Sequence, residues 1–168
     1  IANTNRQLAR ILRETGDLAA ASDLLTKSEL LLAERSASSL ESLQLARERG
    51  ELTLAQGDTK TAAILATRLL ADSAAIASSS AIDLALARLF AARVAIANND
   101  PAAAAALAEA AAQVLPTQSI EHAAALGTLG RAKAALSDPE AQALIARARA
   151  ALHGRPGPAA PYLAELQN

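Results

Sequence analysis

Residues 80–116 read SAIDLALARLFAARVAIANNDPAAAAALAEAAAQVLP, and their spacing decides the fold. In the first half, Ile82, Ala85, Leu86, Leu89, Phe90 and Val94 recur at three- and four-residue steps, the period of a helix that buries one face. In the second half, Ala103, Leu107, Ala111 and Leu115 follow the same rule. Between them stands Asn99-Asp100-Pro101. Asn ends a helix by taking up left-handed backbone, Asp accepts hydrogen bonds from the free N–H groups of the next helix, and Pro fits that helix's first turn. The stretch is a helical hairpin, closed off by Ser78 to Ser80 before it and Pro116-Thr117 after it.

The same turn recurs along the chain as Gly16-Asp17, Gly57-Asp58 and Ser137-Asp138-Pro139. Aligned on Gly16, Gly57, Asn99 and Ser137, the turns lie 41, 42 and 38 residues apart. A repeat at that period is the mark of stacked supersecondary units. Eight main helices are expected, near 3–15, 18–35, 39–55, 59–77, 80–97, 101–115, 119–136 and 139–153. They form hairpins near 1–36, 37–78, 79–116 and 117–153, with a further break at Ser36 to Ser39. Residues 154–168 begin Gly154-Arg155-Pro156-Gly157-Pro158, a linker, and leave room for a short helix near 160–167 that folds back over the last hairpin. Composition agrees. Alanine, the residue that loses least on entering a helix, supplies most of the apolar content, while Val94 and Val114 are the only valines. The class is all-α.

The pattern resembles tetratricopeptide repeats, which place a small residue in helix A, a turn seven residues later, and an Ala five residues after that. Here the small position holds Ala9, Gly50, Ala92 and Gly130. The later position holds Ala21, Ala62, Ala104 and, as a departure, Gln142. The period exceeds the usual 34 residues, so the helices should be longer by about a turn. The resemblance implies a right-handed α-solenoid of about four hairpins whose A helices line a concave groove for a peptide or protein partner. Carried over by position, the groove residues are Asn3, Arg6, Arg10 and Arg13, then Gln44, Arg47, Glu51 and Leu54. The third repeat gives Leu86, Leu89, Arg93 and Ile96, and the fourth Ala124, Gly127 and Arg131. An arginine follows the small residue at Arg10, Arg93 and Arg131. Arg pairs with carboxylates bidentately, so this row is expected to hold carboxylates of an extended or helical ligand, with Leu86 and Leu89 as apolar contacts. The competing reading is that the arginines pair with Glu14, Glu48, Glu51 or Asp83 and only solvate their helices. The two-carboxylate clamp of chaperone-tail-binding members does not fit: of its positions, here Arg6, Arg10, Glu48, Leu86 and Phe90, only Arg6 matches. Elongated, Ala-rich repeats of this kind look like the regulatory regions of bacterial signalling proteins, including Ser/Thr kinases and transcription activators. A cytoplasmic module of such a protein is the expectation. Because the chain begins at Ile1 without Met, it is expected to be a piece of something longer.

Other chemistry is poorly served. Charges alternate and nearly cancel, at a net charge of −1, so no segment has the basic excess that nucleic acid demands. No apolar run reaches the length of a membrane span. There is no cysteine, and the two histidines, His122 and His153, are not clustered with other metal ligands. The glycines are isolated, without a phosphate loop or a nucleophile elbow. No enzyme, cofactor or metal is expected. Two alternatives remain: self-association through exposed repeat ends or the groove, giving a homodimer, and a helical small-molecule sensor. The second is disfavoured by having only Phe90 and Tyr162 as aromatics.

Overall fold

A computed structural model of the chain describes residues 1–34, 39–76, 79–155, 157 and 159–167. Every regular element among them is helical: α1 (Ala2–Thr15), α2 (Leu18–Ala33), α3 (Ser39–Ala55), α4 (Thr59–Ala75), α5 (Ala81–Ala97), α6 (Pro101–Ala112), α7 (Ile120–Ala135), α8 (Ala141–Leu152) and α9 (Ala160–Glu165). The expected breaks at Ser36 to Ser38, Ser78, Pro156 and Pro158 lie outside the described residues.

The four turns have one backbone geometry although Gly, Asn or Ser stands at the reversal. Gly16, Gly57, Asn99 and Ser137 all sit in the left-handed region, at φ of 92°, 81°, 60° and 60°. At each, two N–H groups return to the end of the preceding helix: Gly16 to Arg13 and Asp17 to Leu12, with Gly57/Asp58, Asn99/Asp100 and Ser137/Asp138 repeating the pair. This double closure satisfies carbonyls that the helix end would otherwise leave open. Asp17, Asp58 and Asp100 then start the next helix, their side chains accepting the N–H groups of Ala20, Thr61 and Ala103 at 3.1, 3.0 and 3.0 Å.

The fourth turn differs in a way that corrects the expected register. In the first three, the Asp carbonyl accepts from the buried alanine four residues on: Ala21, Ala62 and Ala104. After Asp138 the acceptor distance shortens to three residues, with Ala141 donating at 3.2 Å. The tighter turn advances the helix by one position, so Ala141 is buried where Gln142 was aligned, and Gln142 points outward. Asp138 does not cap α8 as expected. It accepts from the Glu140 N–H at 2.8 Å and pairs with Lys133 at 3.2 Å, and α8 begins at Ala141 rather than 139. Helix α6 also ends earlier than its apolar spacing implied, at Ala112, although Leu115 stays buried against Leu89 and Ala111.

The helices form two compact units, Ile1–Ser79 and Ser80–Asn168. In the first, α1 packs on α2 and on α3, and α3 packs on α2 and α4. In the second, α5 packs on α6 and α7, α7 on α6 and α8, and α9 on α8. Each unit is thus hairpin stacked on hairpin through successive A helices. The first core gathers Ala9, Ala21, Leu25, Leu45 and Leu52; the second gathers Leu89, Leu115, Leu129, Leu152 and Leu166 among small alanines. The small crossing residues Ala9, Gly50, Ala92 and Gly130 are all buried. A Cβ on Gly130 would lie 2.7 Å from Ile145 Cγ1 and 3.0 Å from the Ile145 backbone nitrogen, so glycine is what lets α7 and α8 approach.

Candidate functional site

In the first unit the predicted arginines of α1 and α3 meet carboxylates from the same two helices. Arg10 Nε donates to Glu14 at 2.8 Å, one helical turn along α1. Arg13 crosses to α3, lying 3.7 Å from Glu48 and 4.0 Å from Glu51, and Arg47 lies 3.7 Å from Glu48. Arg13, Glu48 and Glu51 are almost fully shielded from solvent. Their burial is tolerable only because the charges compensate, since an isolated buried ion costs several kcal/mol. Here the arginines pair with Glu14, Glu48 and Glu51 and join two A helices. Asp83, the fourth carboxylate considered, instead closes a capping box with Ser80 at the start of α5.

Arg6 lies at the edge of that cluster, within reach of its charges. It donates to Asn3 at 2.7 Å and lines a pocket of 270 Å³ with Asn3, Ser28, Glu41, Gln44 and Leu45. Burial, the largest influence, holds its guanidinium below the ordinary value. Glu48 opposes this, and Arg47 and Arg10 add to it. It remains a cation at neutral pH. The pocket falls short of the roughly 300–1,000 Å³ that small-molecule sites occupy.

The second unit brings two predicted arginines onto one carboxylate. Arg93 on α5 holds Glu165 of α9 bidentately, with Nε at 3.0 and 3.2 Å from the two oxygens and Nη2 at 2.5 Å from Oε1. Arg131, from the next A helix, lies 3.6 Å from Oε2 of the same side chain. The Arg93 guanidinium also sits over the Tyr162 ring, 5.0 Å from its centre, close enough for cation–π attraction. Arg93 is only 6% exposed and Glu165 29%, so this pair is screened by solvent far less than a surface contact. Leu86 packs with Tyr162 against the core. Leu89 is core itself, 2% exposed, and offers no surface to a ligand; the apolar role assigned to it belongs to the helix stack.

Helix α9 is fixed at several further points. Leu166 and Leu163 pack among Ala123, Ala148 and Leu152, Arg149 donates to the Leu166 carbonyl, and Arg155 donates to Gln118 O at 2.8 Å. A helix is expected here from the sequence, but no local pattern gives Glu165 or Tyr162 a role. One signal was present: Glu165 is the only acidic residue after Glu140, in a stretch holding Arg147, Arg149 and Arg155.

His122 has a structural partner, its Nδ1 lying 3.1 Å from the Ala112 carbonyl, to which it donates. Among the described residues no three His, Cys, Asp or Glu side chains are grouped to hold a metal, and no helix is long and apolar enough to cross a membrane. The chain matches no family model, no curated protein and no solved structure.

Proposed function

We propose that the chain is a recognition module of tetratricopeptide type, its A-helix face holding a carboxylate-bearing segment of a protein partner. One observation carries the reading: Arg93 and Arg131, from successive A helices, converge on the single carboxylate of Glu165. Two guanidinium groups focused on one point form a carboxylate receptor, and charge-assisted pairs of this kind are about twice as strong as neutral hydrogen bonds. The finer reading of about four repeated hairpins is supported by the common geometry of the four turns. The likeness of the repeats to regulatory regions of bacterial kinases and transcription activators supports a setting within a larger cytoplasmic signalling protein.

The test is calorimetric titration of the full chain with helical peptides that do or do not carry a carboxylate, repeated on Arg131→Ala. Carboxylate peptides should bind, and Arg131→Ala should weaken them about twofold, the worth of one partly solvent-exposed ion pair. Equal affinity for both chains sinks the reading.

A second reading, self-association, is favoured by a different surface. Ile1, Leu8 and Ile11 are 87%, 45% and 54% exposed along α1. Leu52 on α3, which aligns with Ile11, and Leu129 on α7, which aligns with Leu8, are instead buried under α2 and α6 respectively. Sedimentation over a concentration series separates the two: a dimer abolished by Ile11→Arg would promote this surface over the arginine pair.

A further inference from the structure

We propose that α9 is a resident ligand of the second unit, and that the partner this face receives is a short helix of the same design. That partner presents an aromatic ring and a carboxylate three residues apart, with a leucine directly after the carboxylate. The inference rests on the recognition reading above and names the class of partner.

The design is read from what α9 does with each of its side chains. Tyr162 places its ring under the Arg93 guanidinium and against the core that Leu86 also covers. Glu165, one turn later on the same face, closes the bidentate pair with Arg93 and reaches Arg131. Leu166 fills the space that Gly127 leaves open, where a Cβ would lie 2.9 Å from Leu166 Cδ2 and 3.3 Å from Ala148 Cβ. Arg149 then meets the Leu166 carbonyl, a backbone group that any helical peptide offers. Ring, carboxylate, leucine and terminal carbonyl each have a receiver on α5, α7 or α8.

The attachment of α9 is of the kind that exchanges. The helix has six residues, far too few to be stable alone, and is reached through a linker holding two glycines in the left-handed region, Gly154 and Gly157. Its strongest polar contact, Glu165 with Arg93, is to a guanidinium that takes any carboxylate by the same bidentate geometry. A tether this short gives α9 an effective concentration on the order of millimolar, so a competitor must match its contacts and bind more tightly, or α9 must first be weakened. Glu165→Gln weakens it. The neutral amide leaves the shielded Arg93 without a carboxylate, and an incoming Glu restores one.

The probe is a fluorescent, end-capped peptide with the sequence of residues 159–167, AAPYLAELQ, followed by anisotropy against the full chain. Glu165→Gln chain should bind it at least about tenfold more tightly than the wild type, because the tethered competitor is disabled. The same peptide with Gln in place of its Glu should lose that gain. Equal binding to both chains, or a Gln peptide as good as the Glu peptide, overturns the inference. Should Glu165→Gln fail to fold, as judged by circular dichroism, the wild type decides: saturating peptide must remove hydrogen-exchange protection from residues 160–165, and retained protection overturns the inference. Carboxylate peptides that bind the wild type, weaken on Arg131→Ala and ignore Glu165→Gln would leave the recognition reading standing and this one fallen. A wild-type dimer that Glu165→Gln abolishes would make the occupant a second copy and overturn the assignment of a separate partner.

Discussion

Ser137 holds φ at +60°, where a side chain with a Cβ is strained by about 1–2 kcal/mol. Gly16 and Gly57 meet the same backbone demand without that cost, and Asn99 reduces it because Asn tolerates the left-handed region. Ser137→Gly should therefore stabilise the chain by about 0.5–1 kcal/mol after the extra freedom of glycine in the unfolded state is subtracted. Asn99→Gly should be close to neutral. Urea midpoints of the two variants check this, and a destabilised Ser137→Gly would contradict the equivalence of the four turns. These turns were legible in the sequence because the forces that make them are local: a residue able to reverse the helix, then an Asp that caps the next in three of the four. The one-residue shift from Gln142 to Ala141 was not legible. It depends on whether the Asp138 carbonyl accepts from three or four residues ahead, and both choices suit the same residues.

At the scale of the element, two glycines on α7 make different demands on their neighbours. A Cβ on Gly130 would press on the backbone of α8, at the Ile145 nitrogen and the Ala141 carbonyl oxygen, 3.0 and 3.1 Å away. Backbone in a packed helix cannot step aside, so Gly130→Ala should cost about 1–3 kcal/mol. Gly127 faces chiefly the far end of the Leu166 side chain, which can rotate, with the fixed Ala148 Cβ farther off at 3.3 Å. Gly127→Ala should cost less in global stability while loosening α9, seen as faster hydrogen exchange at residues 160–165 with α7 unchanged. If both variants melt alike and α9 keeps its protection, the close approach described for these helices is wrong. The hairpins themselves could be read from period and punctuation. The seat of α9 could not, because Arg93 and Glu165 are 72 residues apart and nothing local to either one selects the other. In sequence, Arg6, Arg10, Arg13 and Arg47 fall on the same expected groove face as Arg93 and Arg131. What separates them is that Glu14, Glu48 and Glu51 lie on the same two A helices in the first unit, whereas the second unit takes its carboxylate from a terminal helix.

For the molecule as a whole, acid and alkali act through exposed groups whose shifts have opposite signs. Hydrogen bonds from Thr61 hold Asp58 below its ordinary value of 3.8, and the Glu140 N–H does the same for Asp138. A carboxylate lowered by folding stabilises above its unfolded pKa, and that stability disappears as pH falls through the folded one. Lys133 is raised above 10.5, chiefly by its hydrogen bond to Glu140 and then by Asp138, so its contribution is complete below that value and is lost as pH climbs past it. Melting temperature should be level between about pH 5 and 9 and fall on both sides, modestly, since all three groups are solvated. Asp58→Asn should make the acid limb shallower, Asp138 supplying the rest, and leave the alkaline limb in place; an unaltered acid limb would mean that Asp58 caps nothing.

The convergence of two helices on one carboxylate is tested most directly by a double-mutant cycle on Arg131→Gln and Glu165→Gln, built from urea denaturation of the four full-length chains, with a second cycle on Arg93→Gln. Contact geometry and burial give a coupling of about 1–2 kcal/mol for Arg93 with Glu165 and a smaller one, of about 0.5 kcal/mol, for Arg131 with Glu165. Additive effects in both cycles would mean that Glu165 does not engage the arginine pair, and the carboxylate receptor would have no basis.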